Sequence, residues 1–349
     1  MKIPGLIDIH VHLRDPGQTQ KEDFLTGTSA ALAGGVTTVL DMPNNLKPIF
    51  TLEALQEKME IAKKKAVCDY GFYFGTDGEN FEEFNKVKDL VIGLKIYFTL
   101  TTGKYLLDNP AKLEKVFETW PKDRVIIAHA QGDKIELALN LAKKFGNKLH
   151  ITHLSTRNDL QKVLTAKVLN PNITCDVTPH HLFLTSADLL LLKGFGEVKP
   201  PLETEENQKF LWKNLKNIDC IATDHAPHTK EEKVSTNPPS GMPGLETMLP
   251  LLLNSVHEGK LTIEDIIRLT HTNPQRIFGI KQHNDTYIEV DLDEKYTIEN
   301  KNLKTKCGWS PFAKNEIYGR VQKVFIRGTK VFENGQVLVK PGFGKFIYT

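Results

Sequence analysis

The first two thirds of the chain alternate between two patterns of apolar positions. Short runs rich in β-branched and aromatic residues occupy 5–13, 37–44, 68–76, 93–98, 125–130, 148–155, 173–180 and 219–227, which predicts eight strands. Helical spacing fills most of the gaps, at 22–33, 52–65, 81–90, 110–120, 134–145 and 158–169. A further helical segment, 205–215, follows a longer stretch bearing Pro and Gly. Some helix starts carry caps: Thr51 is followed by Glu53, and Asp108 stands before Pro110. Eight β/α units in about 220 residues predict an α/β fold of the (β/α)8 TIM-barrel type rather than an open sheet.

Beyond Pro227 the pattern changes. Residues 229–242 are polar and rich in Pro and Gly, so they read as a loop; 245–258, 263–269 and 274–278 read as helices. From Tyr287 onward strands alternate, including 323–327 and 331–333, with Asn334-Gly335 as a hairpin turn. The expected organisation is a barrel with C-terminal helices over 1–284 and a small β-rich appendage over 285–349, packed on the barrel.

Polar residues of metal-ligand type sit at the C-terminal ends of the predicted strands, the rim where α/β barrels build their sites. Strand 1 ends in His10-Val11-His12-Leu13-Arg14, strand 2 in Met42-Pro43-Asn44, strand 5 in His129, strand 6 in His153 and strand 8 in Asp224-His225-Ala226-Pro227-His228. His10 and His12 are two apart and share a strand face, which favours a shared metal over a structural pair. His129 or His153 alone would read as a buried core histidine; together on one rim they read as ligands. Asp224 would serve as a helix cap in another context, but its Thr-Asp-His-Ala-Pro-His setting favours catalysis. Lys95, between Leu94 and Ile96, has two readings. It points outward and snorkels, or it is desolvated, takes up CO2 as a neutral amine and offers a carbamate to two metals. Four histidines with oxygen ligands suit zinc, and Co2+ or Mn2+ also fit. Two metals that activate water and polarise a carbonyl make a hydrolase of amide-like bonds.

Composition narrows the setting. The chain has 349 residues, 40 % hydrophobic and 25 % charged, which is globular composition. A net charge of +2 gives no field for nucleic acid or an anionic membrane. No apolar run approaches the ~18 residues of a membrane span, and no signal-peptide stretch opens the chain. Four scattered cysteines without a CxxC pair suggest a reduced, cytoplasmic protein.

These motifs resemble the dihydroorotases of the amidohydrolase superfamily. The matching stretches are GLIDIHVHLRDPG, DMPN, GLKIYF, IIAHA, HITHLS, CDVTPHHLFLT, IATDHAPHTKEEK and GMPGLETMLPLLL, spread over nearly the whole chain. The tail stretches DTYIEVDLD, GWSPF and NGQVLVKPGFG are similar to the dihydroorotase domain of the animal-type multifunctional pyrimidine-synthesis polypeptide. The resemblance implies two Zn2+ per chain, bridged by a carboxylated Lys95 and a water or hydroxide. His10, His12 and Asp224 would hold the first ion, His129 and His153 the second. Arg14, Asn44 and His228 would bind the substrate's α-carboxylate, which suits the planar donor fork of Arg. Asp224 would carry the proton. The implied reaction is the reversible closure of N-carbamoyl-L-aspartate to L-dihydroorotate. The resemblance also implies a homodimer, and an excised domain natively fused to carbamoyl-phosphate synthetase and aspartate transcarbamoylase.

One loop departs from the animal pattern. Thr101 and Thr102 stand where that type has Thr then Phe, so Thr101 is expected to touch substrate as a lid while the aromatic partner is missing. His180-His181 belongs to the family pattern and is assigned no ligand role. Two other functions compete. A hydantoinase, dihydropyrimidinase or allantoinase would share the metal site but have little use for Arg14 with Asn44. A catalytically dead domain that organises an assembly would have lost ligands, whereas every position is occupied here.

Overall fold

The computed structural model describes residues 1–101 and 105–347. After a three-residue strand β1 (Lys2–Pro4), eight parallel strands run side by side in chain order. They are β2 (Leu6–Val11), β3 (Val36–Asp41), β4 (Asp69–Gly75), β5 (Gly93–Tyr97), β6 (Val125–His129), β7 (Leu149–Ile151), β8 (Ile173–Val177) and β9 (Cys220–Ile221). Val11 bridges His225, and the His12 amide donates to the His225 carbonyl at 2.8 Å. These contacts join the first strand to the segment after the last, as a TIM barrel requires.

The crossover helices α1 (Phe24–Ala33), α2 (Leu52–Lys65), α3 (Phe81–Val87), α4 (Pro110–Thr119), α5 (Asp133–Phe145) and α6 (Arg157–Leu169) follow the predicted spacing. Thr51 caps α2 by accepting from the Ala54 amide. The cap of α4 is Asn109, not Asp108: Pro110 takes the first helical position, so the residue directly before it accepts from Lys112 N–H.

Strand faces sort cleanly. Leu94, Ile96, Ile126, Ala128, Leu149, Ile151, Cys175 and Val177 point outward into the main core beneath the helices. Ile7, Ile9, Leu40, Ile127, Cys220 and Ala222 fill the barrel's interior, together with Phe278, the last residue of the helix Asn273–Phe278, and Ile280 just beyond it.

The last two strands are shorter than the sequence pattern suggests. Residues 178–180 leave the sheet because Thr178 accepts from the His181 amide and Pro179 opens a helix, α7 (Pro179–Phe183). The predicted loop 229–242 contains a single helical turn, Lys230–Lys233, capped by Thr229.

A second sheet, antiparallel, has the order β1-β10-β11-β12-β13, with β10 (Tyr287–Thr297), β11 (Glu316–Ile326), β12 (Thr329–Glu333) and β13 (Gln336–Val337). It draws on both ends of the chain, since Lys2 pairs with Glu289. Asn334 and Gly335 both have positive φ, 49° and 78°, as a tight hairpin demands. All four cysteines are buried and free. Among the described residues no helix is long and apolar enough to cross a membrane.

Candidate active site

The inward face of β2 changes parity along its length. Ile7 and Ile9 face the interior, yet Val11 and Leu13 pack outward. The switch coincides with a register shift against β3 between Asp8 and Val11. Such a bulge re-aims side chains near functional sites, and here it turns His10 and His12 into the barrel mouth. Buried Asp8 accepts from the His10 amide at 3.1 Å and from the Thr223 amide at 3.2 Å, which ties the bulge to the segment after β9. Asp224 follows directly. Its Oδ1 lies 2.9 Å from His12 Nε2 and 3.3 Å from His10 Nε2. Ligand atoms of His10, His12 and Asp224 all lie within 4.8 Å of one another, close enough to share one cation.

The second cluster faces the first. His129 Nδ1 lies 2.8 Å from His153 Nε2, and the His153 ring centre is 5.4 Å from that of His10. Lys95 is inward and fully buried, because its neighbours Leu94 and Ile96 take the outward positions. The outward, snorkelling alternative is therefore excluded. Among the described residues the Lys95 ammonium has one hydrogen bond, to Thr152 Oγ1 at 3.3 Å. Burial pushes its pKa down to about 7, against the pull of Asp224 and Asp176.

The same burial keeps the imidazoles neutral. His129 falls to about 3, and His10 and His153 lie well below the usual range, with Lys95 adding to each depression. His12 is lowered by burial, with Asp224 opposing. Neutral imidazole is the form that ligates metal. His10 Nδ1 and His153 Nδ1 are buried without a hydrogen-bond partner among the described residues. Buried polar atoms rarely stay that way. This donor set fits divalent cations.

The residues expected to recognise substrate sit beside the candidate metal ligands. Asn44 Oδ1 accepts from His12 Nδ1 at 2.6 Å. Arg14, 5 % exposed, donates from Nε to the Pro227 carbonyl at 3.2 Å and from Nη2 to His228 Nε2 at 3.1 Å. Lys21 and Glu232, themselves 2.8 Å apart, flank the other side of His228 at 3.3 and 3.2 Å. Thr101 is half-buried at the edge of residues 102–104; Thr102 lies outside the described residues. Arg14, His153 and Asp224 all adopt positive φ, at 62°, 43° and 46°. Non-glycine residues hold that conformation only where surroundings impose it, and they cluster at functional sites.

Sequence reasoning missed the support beneath these groups. Asp176, inward on β8, accepts from the strained His153 amide at 2.6 Å and pairs with His150 at 2.9 Å. Alternation on β7 and β8 placed both inward and would have flagged them. His225 accepts from the Gly244 amide at 3.2 Å and meets buried Glu22 at 3.4 Å, so it braces the rim. His181 spans Thr178 and the Pro200 carbonyl at 2.7 and 3.2 Å, a structural bracket.

The amidohydrolase family model matches residues 1–285. The chain is 43 % identical over 346 residues to Multifunctional protein CAD of Squalus acanthias; the match covers 99 % of this chain and 15 % of that protein. It is 37 % identical over 368 residues to a dihydroorotase of Pyrococcus horikoshii, covering 97 % of this chain and 82 % of the relative. Among solved structures, L-hydantoinase (dihydropyrimidinase) from Arthrobacter aurescens matches with a TM-score of 0.94 at 26 % identity, covering 100 % of this chain and 89 % of that one.

Proposed function

The chain belongs to the amidohydrolase family, and on that footing we propose that it is a dihydroorotase, interconverting L-dihydroorotate and N-carbamoyl-L-aspartate in pyrimidine synthesis. The observation that carries this reading is the junction of two sets of groups. A cation-binding cluster meets a carboxylate-binding one where Asn44 bonds His12 and Arg14 bonds His228. In the proposed arrangement His10, His12 and Asp224 would hold one Zn2+ and His129 and His153 a second, with a carboxylated Lys95 as a ligand available to both. When bound, the metals supply Lewis-acid polarisation of the amide carbonyl and a lowered pKa for the attacking water.

The chain's own residues perform the rest. Arg14 presents its fork to the α-carboxylate, with Asn44 and His228 beside it, and this fixes the ring's orientation over the cluster. In ring opening the bond between the ring nitrogen and its carbonyl carbon breaks. Water supplies the new carboxylate oxygen; Asp224 carries one of its protons to the departing nitrogen, and the other is released to solvent. In ring closure the ureido nitrogen bonds to the side-chain carboxyl carbon, Asp224 passes that nitrogen's proton to the departing oxygen, and a second proton taken up from solvent lets it leave as water, as microscopic reversibility requires. Thr101 is proposed to contact substrate from the rim.

The proposal extends to the chain's setting. Residues 1–284 carry the chemistry and 285–349 brace the barrel. The protein works as a cytoplasmic homodimer, joined to carbamoyl-phosphate synthetase and aspartate transcarbamoylase domains. The chain spans 15 % of the Squalus protein it matches, which leaves length for such neighbours in that relative.

The close fold likeness to the Arthrobacter hydantoinase favours a second reading, opening of a ring without a carboxylate. An assay of metal-loaded protein separates the two. Turnover of dihydroorotate, with dihydrouracil and hydantoin poorly used, supports the proposal; equal use of all three favours the second reading.

A further inference from the structure

Lys58 lies on the buried face of α2 with Ala54, Leu55 and Ala62, and its side chain is wholly enclosed. Lysine is almost never buried this way unless paired. Its ammonium donates to the Met42 carbonyl and to Asn45 Oδ1, both at 2.8 Å, and forms an ion pair with Asp41 Oδ2 at 2.7 Å. Each acceptor leads towards the recognition residues. Asp41 Oδ1 accepts from the Leu13 amide at 2.8 Å, between His12 and Arg14. Met42 and Asn45 bracket Pro43-Asn44. Asn45 also donates to the Pro16 carbonyl at 3.1 Å, and its own carbonyl accepts from the Tyr105 hydroxyl.

We infer that Lys58 is a positioning residue for substrate recognition: from behind the sheet it locks the Arg14 and Asn44 loops into the one arrangement that receives a carboxylate. The inference rests on the dihydroorotase reading and adds to it a residue that touches neither substrate nor metal. Lys58 sets geometry through backbone groups, so its loss should loosen binding more than chemistry.

Lys58→Met alone strands the Asp41 carboxylate in the core, a large penalty of its own. The informative protein is therefore the double variant K58M/D41N, which removes the stranded charge while the new side-chain amide oxygen still accepts from the Leu13 N–H. For dihydroorotate its KM should rise about tenfold, the scale of one lost charged hydrogen bond, with kcat changed less than about threefold. Zinc content should stay that of the wild type. Asn45→Ala, which strands no charge, should shift KM in the same direction by several-fold. A role confined to stability predicts lower Tm with wild-type KM in both proteins, and that result would overturn the inference. Hydrogen exchange supplies a readout free of turnover. Peptides spanning 10–18 and 42–50 should exchange faster in K58M/D41N than in wild type, and unchanged exchange there would also overturn it. Wild-type protein that fails to turn over dihydroorotate while these peptides still respond would sink the functional reading and leave Lys58's role standing.

Discussion

The two halves of the site are held by different means. The proposed metal half is anchored mainly on strand ends: His129 ends β6, His10 is the last residue but one of β2, Lys95 lies within β5, and His12, His153 and Asp224 follow their strands within a few residues. The proposed recognition half stands on loops: Arg14 bonds His228, His228 meets Lys21 and Glu232, Asn44 bonds His12, and Asp41 and Lys58 pin the neighbouring residues Leu13, Met42 and Asn45. Sheet register positions one half and a network of buried polar pins positions the other. Damage to the first should therefore abolish chemistry, and damage to the second should weaken and misalign binding.

The largest effect is expected at Asp224, which is assigned both ligand and proton carrier. Asp224→Asn or Asp224→Ala should cost more than the ~10²–10⁴-fold of acid/base loss alone, in both directions, while the fold survives. In the wild type, ring opening should rise with pH and ring closure should rise as pH falls, because opening releases a proton and closure takes one up. Parallel profiles would contradict a single shuttle. Next in size is Lys95→Ala, which should lose metal and activity together. A short carboxylic acid supplied to the variant should restore part of both by replacing the missing oxygens. Full activity with an unmodified Lys95 ammonium in a metal-loaded structure would refute the bridge.

The same contrast explains what the sequence could disclose. Strand-end histidines follow from alternation and barrel topology, so their clustering at one rim was readable from spacing. The parity change between Ile9 and His10 was not, because a bulge leaves no fixed signature in a single sequence. Lys58 was equally hidden. It occupies a helical position that usually reads as a solvated charge, and only the approach of Asp41 and Asn45, 17 and 13 residues away, makes its burial favourable. The shortened β8 was foreseeable, since Thr178-Pro179 is a helix-start signal that the β-rich run 173–177 masked.

A smaller loss is expected at Arg14, the centre of the recognition half. Arg14→Ala should raise KM for dihydroorotate by about 10- to 150-fold, the worth of a charge-assisted pair to a carboxylate, and lower kcat as the ring loses its attack geometry. Metal content should not change. Arg14→Lys should rescue only part, since an ammonium cannot present two parallel donors. If Arg14→Ala instead emptied the metal site, the two halves would not be separable and the contrast would fail.

The smallest effect separates the halves by pH. His228 is forced down to about 2 by burial first, then by the positive charges of Arg14, Lys21 and Lys233. An unfolded chain binds a proton at this residue below about 6.5 and the folded protein does not. Its contribution to stability is therefore complete above about 6.5 and is lost progressively as pH falls towards 2. That adds a slope of up to about 1.4 kcal/mol per pH unit to the acid limb of unfolding. His228→Gln, which keeps a hydrogen-bonding side chain without the titration, should flatten denaturant-derived stability between pH 6 and 4 by about that amount. In the wild type His228 stays neutral throughout this range, so it leaves the charge beside Arg14 constant. Identical pH slopes in the two proteins would mean that His228 takes up its proton in the folded state, and Arg14 would then face a cation instead of a neutral ring.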